Sequence, residues 1–141
     1  MKELEIYKLK AGGNIKLPLF TVPVSAGFPS PAEEYVEQLL SLDEHLIQHP
    51  QATYLIKVKG DSMKEAGINT GDVLIIDKSL IPQNNDIVIA IINGEFTVKQ
   101  IKKDKDILYL QPANKDFKPI KISDEMDFKI WGVVTYIIHK A

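Results

Sequence analysis

No cysteine occurs among the 141 residues. That absence removes disulfide staples, thiolate metal sites and a thiol nucleophile together, and it suits a reducing compartment. An excess of positive charge is missing too: 17 Lys and Arg face 19 Asp and Glu, for a formal net charge of -2. No global field therefore gathers nucleic-acid phosphates, and any tie to DNA is expected to be indirect. Long apolar runs are also absent, and the opening MKELEIYKLKAGGNIKLPLF scatters charges throughout. It reads as neither a signal peptide nor a membrane span, so a soluble, cytoplasmic protein is expected. With no metal-ligand spacing and no glycine loop of the phosphate-cradling kind, no metal and no cofactor is expected either.

What is present suffices for one compact domain: 45% of positions are hydrophobic and 26% charged. Residues 1 to 31 carry Pro18, Pro23, Pro29 and Pro31 with Gly12, Gly13 and Gly27, and show no helical period. They read as an extended arm. Ser30-Pro31-Ala32-Glu33 has the form of a helix start, and Tyr35, Val36, Leu39 and Leu40 follow at helical spacing. A second capping pair, Ser41 and Glu44, predicts a short helix with Leu42, Leu46 and Ile47, closed by Pro50.

From Thr53 onward the pattern becomes one of short Ile-, Val- and Tyr-rich strands, expected near 53–59, 73–77, 86–92, 95–102, 107–111, 118–122 and 128–138. Asn93-Gly94 tolerates positive φ at both turn positions, so a two-residue hairpin should pair Ile92 with Glu95 and Val88 with Lys99. The fold class is therefore mainly β, of short and mostly antiparallel strands with one or two short helices, partly closed. Lys102-Lys103-Asp104-Lys105-Asp106 reads as a charged hairpin tip, and Asp72, Asp77 and Asp86 as strand-end residues.

Two residue types could carry chemistry. Ser62, in Lys59-Gly60-Asp61-Ser62-Met63, follows a strand and precedes a helical turn, but a serine hydroxyl needs a base. The three histidines, His45, His49 and His139, are not arranged for a triad. Lys99 lies mid-strand on the face shared by Thr97 and Ile101. As a base it must be neutral, which requires burial to bring a pKa of about 10.4 down by roughly 3, equivalent to about 4 kcal/mol. Taken alone, a Gly-Asp-Ser triplet is more often a turn, and a strand lysine more often a solvated edge residue. The segment Val22 to Pro29, with Ala26-Gly27 at its centre, reads equally as a linker or as a strand lying in a peptidase groove.

The coincidence of motifs weights these alternatives. Ala26-Gly27, Gly60-Asp61-Ser62-Met63, Gly67-Ile68 with Gly71-Asp72, and Gly94-Glu95-Phe96-Thr97-Val98-Lys99 occur in an order and at intervals that resemble the LexA/UmuD family of self-cleaving serine peptidases. Phe28-Pro29-Ser30-Pro31-Ala32, Tyr35 to Gln38 and Leu46 to Pro50 resemble its UmuD-like branch in particular. Members of that branch can carry cysteine before the scissile glycine, where this chain has Ala26, as LexA-like repressors do.

The resemblance implies Ser62 as nucleophile, Lys99 as general base, and Ala26-Gly27 as the bond cut. It divides the chain into a cleavable arm, 1–26, and a β-rich peptidase and dimerisation domain, 27–141. Residues 1–26 are too few and too rich in Pro and Gly for a helix-turn-helix, so a DNA-binding repressor is not expected. The implied partners are a second copy, the RecA filament on single-stranded DNA as co-protease, and a UmuC-like Y-family polymerase subunit of the DNA polymerase V type. The implied setting is translesion synthesis in the SOS response. A non-catalytic dimeric binding module for a polymerase or RecA, and a phage or plasmid homologue with another partner, remain open.

Overall fold

Strands β5 (Val73–Asp77) and β6 (Ile87–Ile92) are near-continuous apolar runs, VLIID and IVIAII, the composition of strands covered on both faces. Both lie inside an eight-stranded sheet of order β1-β4-β5-β10-β6-β7-β8-β9, all of whose pairings are antiparallel. The other members are β1 (Leu4–Lys8), β4 (Thr53–Val58), β7 (Glu95–Asp104), β8 (Ile107–Gln111), β9 (Ile120–Lys121) and β10 (Phe128–Ile138). The computed structural model describes residues 4–8, 15–20, 36–60 and 62–141. These fall into two compact units, one drawn from 1–9 and 51–141 and the other from 10–50.

Alternation along the central strands separates two cores. Ile56, Leu74, Ile76, Ile89 and Val98 pack in one cluster, whereas Val88, Ala90, Ile101, Leu110 and Val133 pack in another. Ile89 thus goes one way while its neighbours Val88 and Ala90 go the other, as a period of two requires. Trp131 ties the strands laterally, its ring 5.2 Å from Tyr54 and 5.7 Å from Phe96, both edge-on.

The long strand β10 pairs with β6 through its first half and with β5 through its second, with register shifts between Ile130 and Gly132 and between Val134 and Tyr136. Gly132 is required there, because a Cβ on it would stand 2.5 Å from the Cγ2 of Ile76, a fully buried side chain. Gly132→Ala is expected to lower stability by about 1–3 kcal/mol through overpacking, read as a drop in the urea midpoint at unchanged slope.

The hairpin forms as its sequence predicts. Asn93 and Gly94 have φ of 49 and 84, and the register sets Ile92 opposite Glu95 and Val88 opposite Lys99. Lys105, at φ 56, turns the charged tip between β7 and β8.

The smaller unit corrects one expectation. Residues 36–40 were expected to be helical, yet Val36–Ser41 is strand β3, antiparallel to β2 (Lys16–Phe20) with Leu17 opposite Leu40 and Pro18 opposite Leu39. A ladder with a distant strand outweighs local amphipathic spacing. Pro18 is tolerated because each strand of a two-stranded sheet has an unpaired edge. The helix start at Ser30 to Glu33 lies outside the described residues. The second helix is present as α1 (Leu42–Leu46), with Ser41 as N-cap accepting from Glu44 N–H at 3.5 Å.

Candidate active site

Ser62 stands on the connection from β4 to a 3-10 turn, Lys64–Ala66. Its approach is clamped. Gly60, at φ 119, donates its N–H to Thr70 Oγ1 (3.0 Å), and the same hydroxyl donates to Gly60 O (2.9 Å). Gly71 N–H donates to Val58 O (2.8 Å) and Val58 N–H to Asp72 O (2.9 Å), so residues 58–60 and 70–72 are laced together. Beyond the serine, Gly67 closes the turn in the left-handed region at φ 82, where a glycine costs nothing sterically.

Lys99 comes to the serine from β7. The sheet makes this an interior strand between β6 and β8, so the lysine is no solvated edge residue: it is 6% exposed and Ser62 is 8%. Lys99 Nζ lies 3.3 Å from Ser62 Oγ, 2.5 Å from Thr97 Oγ1 and 3.0 Å from Val98 O. Thr97 reaches the amine because residues two apart on a strand share a face.

Two hollows adjoin the pair. A groove of about 820 Å³ is lined by Ser62, Thr97 and Lys99 and, from the segment after β8, by Pro112, Phe117 and Lys118. A second hollow, with room for about 10 Å³, is lined by Val58, Gly60, Ser62, Met63, Ile68 and Val98. That is the space of one water-sized sphere.

The groove wall is fastened to the serine's own turn, a feature the sequence reading did not find. Glu65 N–H donates to Ala113 O (2.7 Å), Lys115 N–H to Glu65 Oε2 (2.5 Å) and Ala113 N–H to Met63 Sδ (3.1 Å). Asn114, 3% exposed, shapes the wall by accepting from Asp116 N–H through Oδ1 (3.0 Å) and from Phe117 N–H through its carbonyl (3.0 Å). Pro112 and Pro119 framing an Asn-Lys-Asp turn were the available signal, but they mark a loop without saying what it touches.

The histidines stand apart from this arrangement. His45 is in α1 and His49 precedes a 3-10 turn, Pro50–Ala52. His139 Nδ1 lies 2.7 Å from Asp72 Oδ1. Asp72 is 3% exposed, and burial opposes its ionisation, but the Asn69 N–H and His139 outweigh that and hold its pKa below the usual carboxylate value. A depressed carboxylate adds stability that is present above its unfolded pKa and lost as pH falls through the folded one. Asp72→Asn is therefore expected to cost about 1–2 kcal/mol at pH 7. The gap between variant and parent should close below about pH 4 in thermal melts. Asp77 and Asp86 are strand-end residues too, accepting from Ser79 N–H and Gln83 N–H at 2.8 Å each.

Ala26 and Gly27 lie outside the described residues. Among the described residues no cluster of three His, Asp or Glu could hold a metal ion, and no helix is long and apolar enough to cross a membrane.

A β fold that buries a serine against a strand lysine beside an open groove has the form of a peptidase, and the chain belongs to the Peptidase S24-like family, whose model matches residues 18–135. Within the family it stands with the UmuD-like proteins. It is 40% identical to Protein MucA of Salmonella typhimurium over 136 residues, covering 95% of this chain and 92% of that one. It is 46% identical to Protein SamA of Salmonella typhimurium over 124 residues, 88% of this chain and 86% of the relative. The LexA repressor of Colwellia psychrerythraea is 39% identical over 119 residues, 84% of this chain but 56% of the repressor.

Proposed function

We propose that the chain is a self-cleaving serine peptidase that cuts its own Ala26-Gly27 bond with Ser62 as nucleophile and Lys99 as general base. The observation that supports this most is the buried contact of 3.3 Å between Lys99 Nζ and Ser62 Oγ. A neutral amine has two N–H bonds and one lone pair. That lone pair is what can accept the serine O–H.

The lone pair takes the Ser62 proton as Oγ bonds to the Ala26 carbonyl carbon. The oxyanion then collapses, the bond to Gly27 nitrogen breaks, and Lys99 returns the proton to that nitrogen. Water, deprotonated by the same amine, hydrolyses the ester at Ala26 and restores Ser62. The Ser62 N–H is the oxyanion donor we assign. The hollow of about 10 Å³ beside Ser62 is the seat for the Ala26 methyl. Tethering makes docking of the arm and deprotonation of the lysine the limiting steps.

The activity is read as a switch in the cytoplasm. The RecA filament on single-stranded DNA favours the cleavable state, and the cut homodimer serves a UmuC-like Y-family polymerase subunit in the SOS response. Dimerisation is supported by β10, whose second half pairs only with β5 among the described residues and carries Tyr136 and Ile138, 40% and 47% exposed.

The test is mass spectrometry of the purified chain after incubation at alkaline pH. A fragment beginning at Gly27 should form in the parent and not in Ser62→Ala or Gly27→Glu chains. A pure binding module would yield none at any pH, and a fragment from Ser62→Ala would remove the serine from the mechanism.

A further inference from the structure

The first strand of the chain belongs to the main sheet. β1 pairs along its whole length with β4, Leu4 opposite Val58 through Lys8 opposite Tyr54, and β4 meets β5 along its other side. β4 is thus interior only because β1 covers it. The two strands differ in how firmly they are held: Thr53, Ile56 and Val58 of β4 are at most 6% exposed, whereas Ile6 and Tyr7 of β1 are 37% and 53% exposed. β1 is held by its ladder with β4 and by being tied to the same chain.

We propose that the outer edge of β4 is a strand-accepting surface, occupied by β1 in the uncut chain and opened by the cut, for an extended acidic and apolar segment of a partner protein. This rests on the cleavage reading above. Before the cut, β1 is an intramolecular strand at high effective concentration. Afterwards the arm is a separate molecule held by two short ladders, β1 on β4 and β2 on β3, and ladders so short hold only at micromolar concentrations and above. The strand that leaves exposes a rigid row of backbone N–H and C=O groups, which is what β-augmentation requires.

The register describes the occupant. Position 5, a glutamate, stands opposite Lys57, and Ile6 stands opposite Ile56. An incoming antiparallel strand should carry a carboxylate opposite Lys57 and an apolar residue at the next position. A second copy's β4 is the poorer fit, because it carries a lysine, Lys57, and no carboxylate.

The experiment makes the cut without relying on the chain's own activity. In a full-length Ser62→Ala chain, residues 24–29 are replaced by the recognition sequence of a site-specific protease. A fluorescent peptide of residues 1–10 then serves as the probe. Anisotropy should show no binding before protease treatment and micromolar binding after it. A Glu5→Lys peptide should bind about three-fold more weakly. Backbone amides of 53–58 should exchange at least about ten-fold faster in the cut chain. A peptide that fails to bind the cut chain overturns the proposal, as does a released arm that excess peptide cannot displace. Growth of the cut chain into larger assemblies through this edge would replace the partner strand by a second copy and overturn it too. Self-cleavage of the unaltered chain is scored separately, so loss of the peptidase reading and loss of this one are told apart.

Discussion

Lys99→Met is expected to slow self-cleavage by at least about 10³-fold, with the fold intact. Methionine nearly matches the lysine stem in volume, but its thioether is far too weak a base to take the serine proton. The change leaves the Thr97 hydroxyl and the Val98 carbonyl short of a partner, which costs, while it removes an amine that is 6% exposed and expensive to bury, which compensates. The melting temperature should therefore move by only a few degrees. Lys99→Arg sharpens the test, since arginine keeps the donors but stays protonated, so it too should be inactive. In the parent, the logarithm of the rate should rise with pH at a slope near one until the buried amine is deprotonated, then level off. A Lys99→Met chain that released a fragment starting at Gly27 within ten-fold of the parental rate would remove the lysine from the mechanism.

Ala26→Leu is expected to reduce cleavage by about a hundred-fold, whereas Ala26→Gly should remain a substrate. The hollow beside Ser62 holds about one water-sized sphere, the scale of a methyl group and well short of an isobutyl group. Its walls do not yield easily, because Met63 and Ile68 are 2% and 1% exposed and belong to the core around Ile56 and Val98. Admitting a leucine means displacing packed side chains while keeping the carbonyl against the serine. The measurement is the first-order rate of fragment formation at one alkaline pH. Equal rates for the leucine and alanine chains would show that the residue before the cut sits elsewhere.

The sequence was most readable where neighbours in space are neighbours in the chain. The β6 to β7 hairpin, its register and the charged tip after β7 follow from Asn93-Gly94 and a period of two, and they carry Lys99 to an interior strand. The helix at Leu42 was legible because its cap is local. Reading failed where partners are remote. Val36, Leu39 and Leu40 fit a helical face as well as a strand, and only Lys16–Phe20, absent from any local window, decides between them. β1 was read simply as part of an extended arm, since its partner β4 begins at Thr53. Ser62 and Lys99 were candidates on chemical grounds, yet no spacing rule gives a contact across 37 positions. The Glu65 fastening to the groove wall spans 50 positions and left no trace in either segment alone.

The two-residue turn at Asn93-Gly94 acts as a phase setter for the enzyme. Strand β7 presents Lys99 and Thr97 on one side and Val98 on the other, so a slip of a single residue in its pairing with β6 would point a valine at Ser62 and drive the amine into the opposite core. The parity of a surface loop thus decides whether the amine faces the serine at all.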